Sequence, residues 1–284
     1  MDWRAAFIVP AVLLVPFVGN GVSSQRVAAD TRPAMNRVAA YVENYYSRAQ
    51  SILATETVSV QNVGRDMTGD GFTRRFVYNI RVEWSPSASG PPDATFSREL
   101  VTVNGRAPRE GDEPHCTAPK PITPEPLAMF LRERQPEFTF TAGELTRLDG
   151  RSAVRVDYRI RQPEADAIEW DRDCVLINVP SRIRGRAWID DASGEVLRID
   201  ETATGPVEIA APRAEQRRGQ PPLLVFDRMS ESIRYRPVTF HDPEETIMLP
   251  ASVEILTMVR SGGTRRSLVY SNYRRFVTEG RVLP

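Results

Sequence analysis

The sequence predicts an α+β chain made mainly of antiparallel β-sheet, and three observations carry that prediction. Apolar residues recur at three- and four-residue spacing over just one long segment, close to the N-terminus. Beyond it the period changes to two, most cleanly at Phe76, Tyr78, Ile80, Val82 and Trp84 and again at Val154, Val156, Tyr158 and Ile160, with polar residues between them. The segments are joined by hairpin chemistry, Asn104-Gly105, Asp149-Gly150, Ser193-Gly194 and Gly262-Gly263, in the manner of a meander rather than a βαβ alternation.

The chain opens with Arg4 and an apolar run from Ala5 to Val18, broken by Pro10 and Pro16. The run has h-region length and falls short of the roughly 20 residues a spanning helix needs. Val22 and Ser24 offer a −3/−1 cleavage pair, so residues 1–24 read as a signal peptide and 25–284 as the mature chain, a single β-rich domain; with one positive charge before the apolar run, an uncleaved signal anchor is the alternative. No Cys follows the run, which excludes lipid attachment of the usual bacterial kind. The expected location is periplasmic or secreted.

The helical spacing joins Met35, Val38, Val42, Tyr45, Ala49 and Ile52, which predicts an amphipathic helix from Thr31 to Leu53. Thr31 suits its N-cap and Pro33 its first turn. Besides the two alternating strands, strands are expected near 55–63, 95–104, 137–147, 182–190, 195–203, 223–240, 247–259 and 264–277. Two proline-rich insertions interrupt the meander. The first, near 111–126, leads into a short helical segment with Leu127, Phe130 and Leu131; the second, near 205–222, reads as a long exposed loop.

The only two cysteines are Cys116 and Cys174. In an oxidising compartment an even count is read as one disulfide, which would restrict the unfolded chain by roughly 4 kcal/mol; two separate buried thiols are the alternative. Basic and acidic residues balance at 37 each, which argues against a general nucleic-acid or anionic-membrane binder. Lys120 is the sole lysine, and the arginines are spread along almost every segment instead of forming one anion site.

No constellation amounts to a catalytic or metal centre. Asp66-Met67-Thr68-Gly69-Asp70-Gly71 begins like a calcium loop, but its twelfth position is Val77 in a strand, so a Gly-rich hairpin turn is expected. His115 and His241 belong to no ligand-spaced pair. The acidic pairs Asp171/Asp173, Asp190/Asp191 and Glu244/Glu245 are expected in turns as solvated carboxylates. Thr117 and Lys120 have nucleophile–base spacing in a proline-rich loop that disfavours the helical turn such a pair uses, and the G-x-S-x-G, Walker and G-x-G-x-x-G signatures are missing. No enzyme activity and no cofactor are expected.

Three features together resemble the periplasmic lipoprotein-carrier superfamily, the LolA/LolB-like proteins that include outer-membrane lipoprotein-sorting domains. They are the leader with an amphipathic helix behind it, the hairpin Gly185-Arg186-Ala187-Trp188-Ile189-Asp190-Asp191-Ala192-Ser193-Gly194-Glu195-Val196-Leu197-Arg198, and the ending Leu249-Pro250-Ala251-Ser252-Val253-Glu254-Ile255 followed by Tyr270-Ser271-Asn272-Tyr273-Arg274-Arg275-Phe276. The resemblance implies a sheet curled into an incomplete barrel whose concave apolar face is covered by helices and holds acyl chains. Phe76, Tyr78, Ile80, Val82, Val154, Val156, Tyr158 and Ile160 would then face inward, with Leu127, Phe130 and Leu131 in a lid. The alternative is that the same side chains fill a closed core. On this reading the partner is a lipid, a lipoprotein acyl chain or another apolar ligand, and membrane contact is at most transient. A cell-envelope protein held at a sheet edge or by the long loops is the other class of partner.

Overall fold

The computed structural model describes residues 31–49, 51–85, 93–112, 125–171, 174–217, 221–241 and 244–275. The leader, His115 and Cys116 lie outside them, as does the side chain of Cys174, so the expected disulfide falls outside the described residues. Helix α1 (Arg32–Arg48) leads into β1 (Ser51–Val63), β2 (Gly69–Ser85) and β3 (Asp93–Val103). One turn of helix, α2 (Glu125–Ala128), precedes β4 (Phe138–Leu148) and β5 (Arg151–Ile160). The small hairpin β6 (Ala167–Asp171) and β7 (Cys174–Asn178) is followed by β8 (Ile183–Asp190), β9 (Val196–Ala203), β10 (Val207–Ala210) and α3 (Arg213–Arg217). Three long strands follow: β11 (Leu223–His241), β12 (Glu244–Val259) and β13 (Gly262–Arg275).

Antiparallel pairing runs β3-β2-β1-β13-β12-β11-β9-β8-β5-β4, with β10 added to β11, in one curled and unclosed sheet. Among the described residues the first and last strands in sequence therefore meet at its centre, where β1 pairs β13 from Ile52/Arg275 to Val63/Gly263. Asn104-Gly105 and Asp149-Gly150 have positive φ at both residues, as two-residue hairpin turns require. The Asp66 segment is a hairpin turn as expected, its carboxylate accepting from the Thr68 backbone N–H and hydroxyl.

One row of inward residues, running from strand to strand, is apolar across the sheet: Val156, Ala187, Ile199, Ile233, Val253, Leu268, Val58 and Phe76 are successive register partners or neighbours. All eight are buried, and α1 packs into the same cluster through Met35, Val38, Val42, Tyr45 and Tyr46. The sheet alternates because its other face is wet, while the helix presents a single apolar stripe.

Three expectations need correction. The helix stops at Arg48, not Leu53: Ala49 N–H donates to Tyr45 O, and Ile52 and Leu53 already pair with Val82 and Arg81 in β1. Ile52 fits the helical stripe and the strand alternation equally well, and pairing on both sides of β1 decides for the strand. Thr31 occupies the N-cap position without a side-chain capping bond. The stretch 205–222 is not a bare loop, since β10 buries Val207 and Ile209 against β11 and α3 follows; its short alternation is masked in sequence by flanking Pro and Arg.

The acidic pairs are the third. Asp190 is only 6% exposed, and Glu245, the second residue of β12, lies between two arginines rather than standing solvated in a turn. Arg48 and Arg275 both pair with Glu245, and the Arg275 guanidinium also donates to the Arg48 carbonyl at 2.8 Å. Burial opposes the Glu245 charge, but the two guanidiniums hold its carboxyl below the usual range. This knot fastens the C-terminal end of α1, where cations also suit the exposed helix carbonyls. Asp171 is the last residue of β6, and Asp173 lies outside the described residues.

Candidate functional site

One register step from the all-apolar row, the inward face changes character. The next row reads Phe140 (β4), Tyr158 (β5), Gly185 (β8), Glu201 (β9), Glu231 (β11), Ile255 (β12), Arg266 (β13) and Val60 (β1), each residue the register partner of the next. Two residues along a strand advance it by about 6.6 Å. Within that distance a closed hydrocarbon core gives way to a belt carrying two carboxylates and a guanidinium.

Gly185 makes the acidic half of the belt possible. A Cβ built there would fall inside the Tyr158 ring, so the glycine lets the phenol lie across β8 and donate its hydroxyl to Glu201 Oε1 on the following strand at 2.7 Å. Burial pushes the Glu201 carboxyl up, partly offset by that hydrogen bond. Glu231, its register partner, is pushed up to about 7 by burial and by the Glu201 charge beside it. Burial lowers Arg266 on the far side of Ile255.

The Tyr158–Glu201 pair opens onto a cleft of about 190 Å³ between the α2 segment and the sheet, lined by Pro126, Met129, Arg134, Phe138, Tyr158, Arg159, Ile160, Ile183 and Glu201. Its walls are mostly apolar. The α2 segment is held down by Gln135 Nε2, which donates to Phe130 O at 2.9 Å and to Met35 O at 3.2 Å, and by stacking of Phe130 on Phe140.

The structure brings the sequence-derived residues to one face. Phe76, Tyr78, Ile80, Val82, Val156 and Tyr158 are buried inward, and Val154 packs against the same cluster. Leu127 in α2 and Phe130 and Leu131 just after it are buried in the main core cluster. Among these, Tyr158 and Ile160 border the cleft, while the rest pack against α1, α2 and one another. His241 ends β11 and is exposed. Among the described residues no group of three or more His, Cys, Asp or Glu is placed to hold a metal, and no helix is long and apolar enough to cross a membrane.

The sequence reading missed the charged inward residues Glu56, Glu201 and Glu231. Each carried a signal: they stand in phase with apolar neighbours, as Ile52-Ala54-Glu56-Val58, Ile199-Glu201-Ala203 and Met229-Glu231-Ile233-Tyr235. Glu56, 2% exposed, takes Arg98 Nε on one oxygen at 2.7 Å and the Tyr270 hydroxyl on the other at 2.9 Å. Arg98 also lies 3.6 Å above the Tyr78 ring. Burial still raises the Glu56 carboxyl against both partners.

The fold and site together are an open antiparallel sheet that wraps a helix and keeps a small apolar cleft beside a polar belt. Among solved structures the chain is similar to an outer membrane lipoprotein-sorting protein domain from Vibrio parahaemolyticus, at 10% identity over 90% of this chain and 95% of that one, with a TM-score of 0.39. It is similar also to a DUF1329 family protein from Desulfovibrio piger, at 10% identity over 87% and 93% with a TM-score of 0.41. A LolA superfamily protein from Nitrosomonas europaea matches at 10% identity over 88% and 97%, with a TM-score of 0.33. At such identities no residue role and no ligand passes from them to this chain. No family model matches the chain, and comparison with curated proteins gives no match.

Proposed function

We propose that this is a non-catalytic, exported binding protein for an apolar chain, of the kind found on a lipid or an acylated protein, which enters the cleft between the α2 segment and β4, β5, β8 and β9. The observation that carries the reading is the cleft itself: apolar walls from Met129, Phe138, Ile160 and Ile183, open to solvent, next to an otherwise closed core. Burial of a chain there is favourable by about 0.8 kcal/mol per CH₂. The apolar leader supports delivery outside the cytoplasm, in the periplasm or beyond it. At about 190 Å³ the cleft is smaller than the roughly 300–1,000 Å³ usual for ligand pockets, so a long chain is admitted by displacement of the Leu127–Leu131 segment.

The test is uptake of a dansyl-labelled undecanoyl probe by the purified protein, followed by fluorescence. Saturable binding is expected, and Ile183→Trp, which fills the cleft, weakens it at least about tenfold, a difference of roughly 1.4 kcal/mol. No saturable uptake by the parent protein rejects the reading.

A further inference from the structure

A second depression, of about 230 Å³, lies on the outer face of the sheet across β9, β11, β12 and β13, turned away from the apolar cleft. Its outward side chains form one row over four strands: Thr202 is the register partner of Ser230, Ser230 of Leu256, and Leu256 of Arg265. Glu201, Glu231 and Ile255 border it with backbone, since their side chains belong to the inward belt. We propose that this depression binds a phosphate group, held by Arg228 and Arg265 against the hydroxyls of Thr202 and Ser230. The site stands apart from the cleft and does not depend on the function given to it.

The arginines are dispersed along the sequence, but the register brings these two to one place. Arg228 Nη1 donates to Met67 Sδ at 3.9 Å and Arg265 Nη2 to Met67 O at 3.3 Å, so both guanidinium groups reach the same residue of the β1–β2 turn. Among the described residues neither makes an ion pair with a carboxylate. A thioether and a carbonyl accept hydrogen bonds without neutralising charge, which leaves two like charges converging without a counter-ion. A β-bulge in β11 between Phe226 and Arg228 adjoins the site, as bulges do where a side chain is re-aimed.

The two outward carboxylates of the depression are engaged elsewhere. Asp200 accepts from Arg198 Nε at 2.7 Å, and Glu254 from the Ser267 hydroxyl at 2.5 Å. Both belong to the next row, with Ser232 between them, about 6.6 Å along the strands from Thr202 and Leu256. By contrast, the Thr202 and Ser230 hydroxyls make no hydrogen bond among the described residues. A phosphate group carries its strong acceptor oxygens on a tetrahedron, which suits two guanidiniums from different strands together with two hydroxyl donors. A carboxylate has two oxygens in one plane and is satisfied by a single guanidinium fork.

Calorimetric titration of the full chain at pH 8 and low salt with inorganic phosphate and with glycerol 3-phosphate, against glycerol, tests this, alongside flotation with phosphatidylcholine vesicles that carry or lack phosphatidylglycerol. Saturable binding of a soluble phosphate, or recovery with the phosphatidylglycerol vesicles, is expected; the first assigns a free phosphate compound and the second a lipid headgroup. The double variant Arg228→Gln/Arg265→Gln, its fold checked by circular dichroism, should weaken that binding at least about tenfold, and added salt should weaken it as well. Arg234→Gln/Arg274→Gln removes the same charge at exposed positions outside the depression and should leave binding within about twofold of the parent. No binding by either route, equal affinity for glycerol, equal loss in both double variants, or binding that survives Arg228→Gln/Arg265→Gln overturns the inference. None of these outcomes bears on uptake of the undecanoyl probe by the cleft.

Discussion

Glu231 faces a belt where burial and Glu201 both disfavour its charge, and this makes it a measurable cost in the folded chain. In the unfolded chain it ionises near the ordinary glutamate value of about 4.3. In the fold its carboxyl is pushed up to about 7. Between those values the folded state holds a proton that the unfolded state has released, so stability falls as pH rises through the window and levels off above it. Glu231→Gln is therefore expected to be about 1–3 kcal/mol more stable than the parent at pH 8 and indistinguishable from it at pH 4, by urea denaturation. Burial raises the Glu56 carboxyl as well, but there the charge is answered by Arg98 and the Tyr270 hydroxyl. Arg98→Ala would strand a buried carboxylate and should cost about 3–5 kcal/mol, whereas the paired replacement Glu56→Leu/Arg98→Met should cost clearly less in the same assay. Gly185→Ala drives a methyl into the Tyr158 ring and should destabilise by more than the roughly 1 kcal/mol expected for Tyr158→Phe, which loses only the bond to Glu201.

At the scale of elements, the hairpin segment between β8 and β9 that carries the family resemblance has a visible structural job. Burial works against the Asp190 charge, yet the Ser193 N–H and the Arg151 guanidinium hold its carboxyl below the usual range. Asp191 accepts from Arg37 of α1 at 2.8 Å. Gly194, at φ 77°, lies where a Cβ would meet the Arg37 carbonyl. The turn is thus the seat of the helix as well as a strand connection. Gly194→Ala is expected to lower stability by about 1–3 kcal/mol through strain at positive φ and loss of the close approach, seen as a fall in thermal midpoint with a native-like far-ultraviolet spectrum.

Across the whole molecule, the meeting of β1 with β13 makes the centre of the sheet its most non-local part, while β3 and β4 remain at its open ends. Amide exchange should accordingly be slowest in β1, β2, β12 and β13 and fastest along the outer edges of β3 and β4; uniform protection across the sheet would contradict this layout. The sequence by itself determined the elements. Among the described residues, clean period-two alternation marked β2 and β5, strand and turn signals marked eight more of the thirteen strands, and 3.6-residue spacing marked α1, because a face that must meet water writes its period into the residues. It missed β6, β7 and β10, each too short for the alternation to stand out, and it ran α1 into β1 because Ile52 satisfies both periods. Only the tertiary structure decided which inward residues fill the core and which border the cleft. Phe76 and Tyr158 look alike along their strands, yet α1 covers the first row while the α2 segment leaves the second partly open. The same holds for the belt. Glu201 and Glu231 are 30 positions apart in sequence and become neighbours through the β9–β11 register alone, and desolvation, which no local pattern encodes, is what gives their charges a meaning.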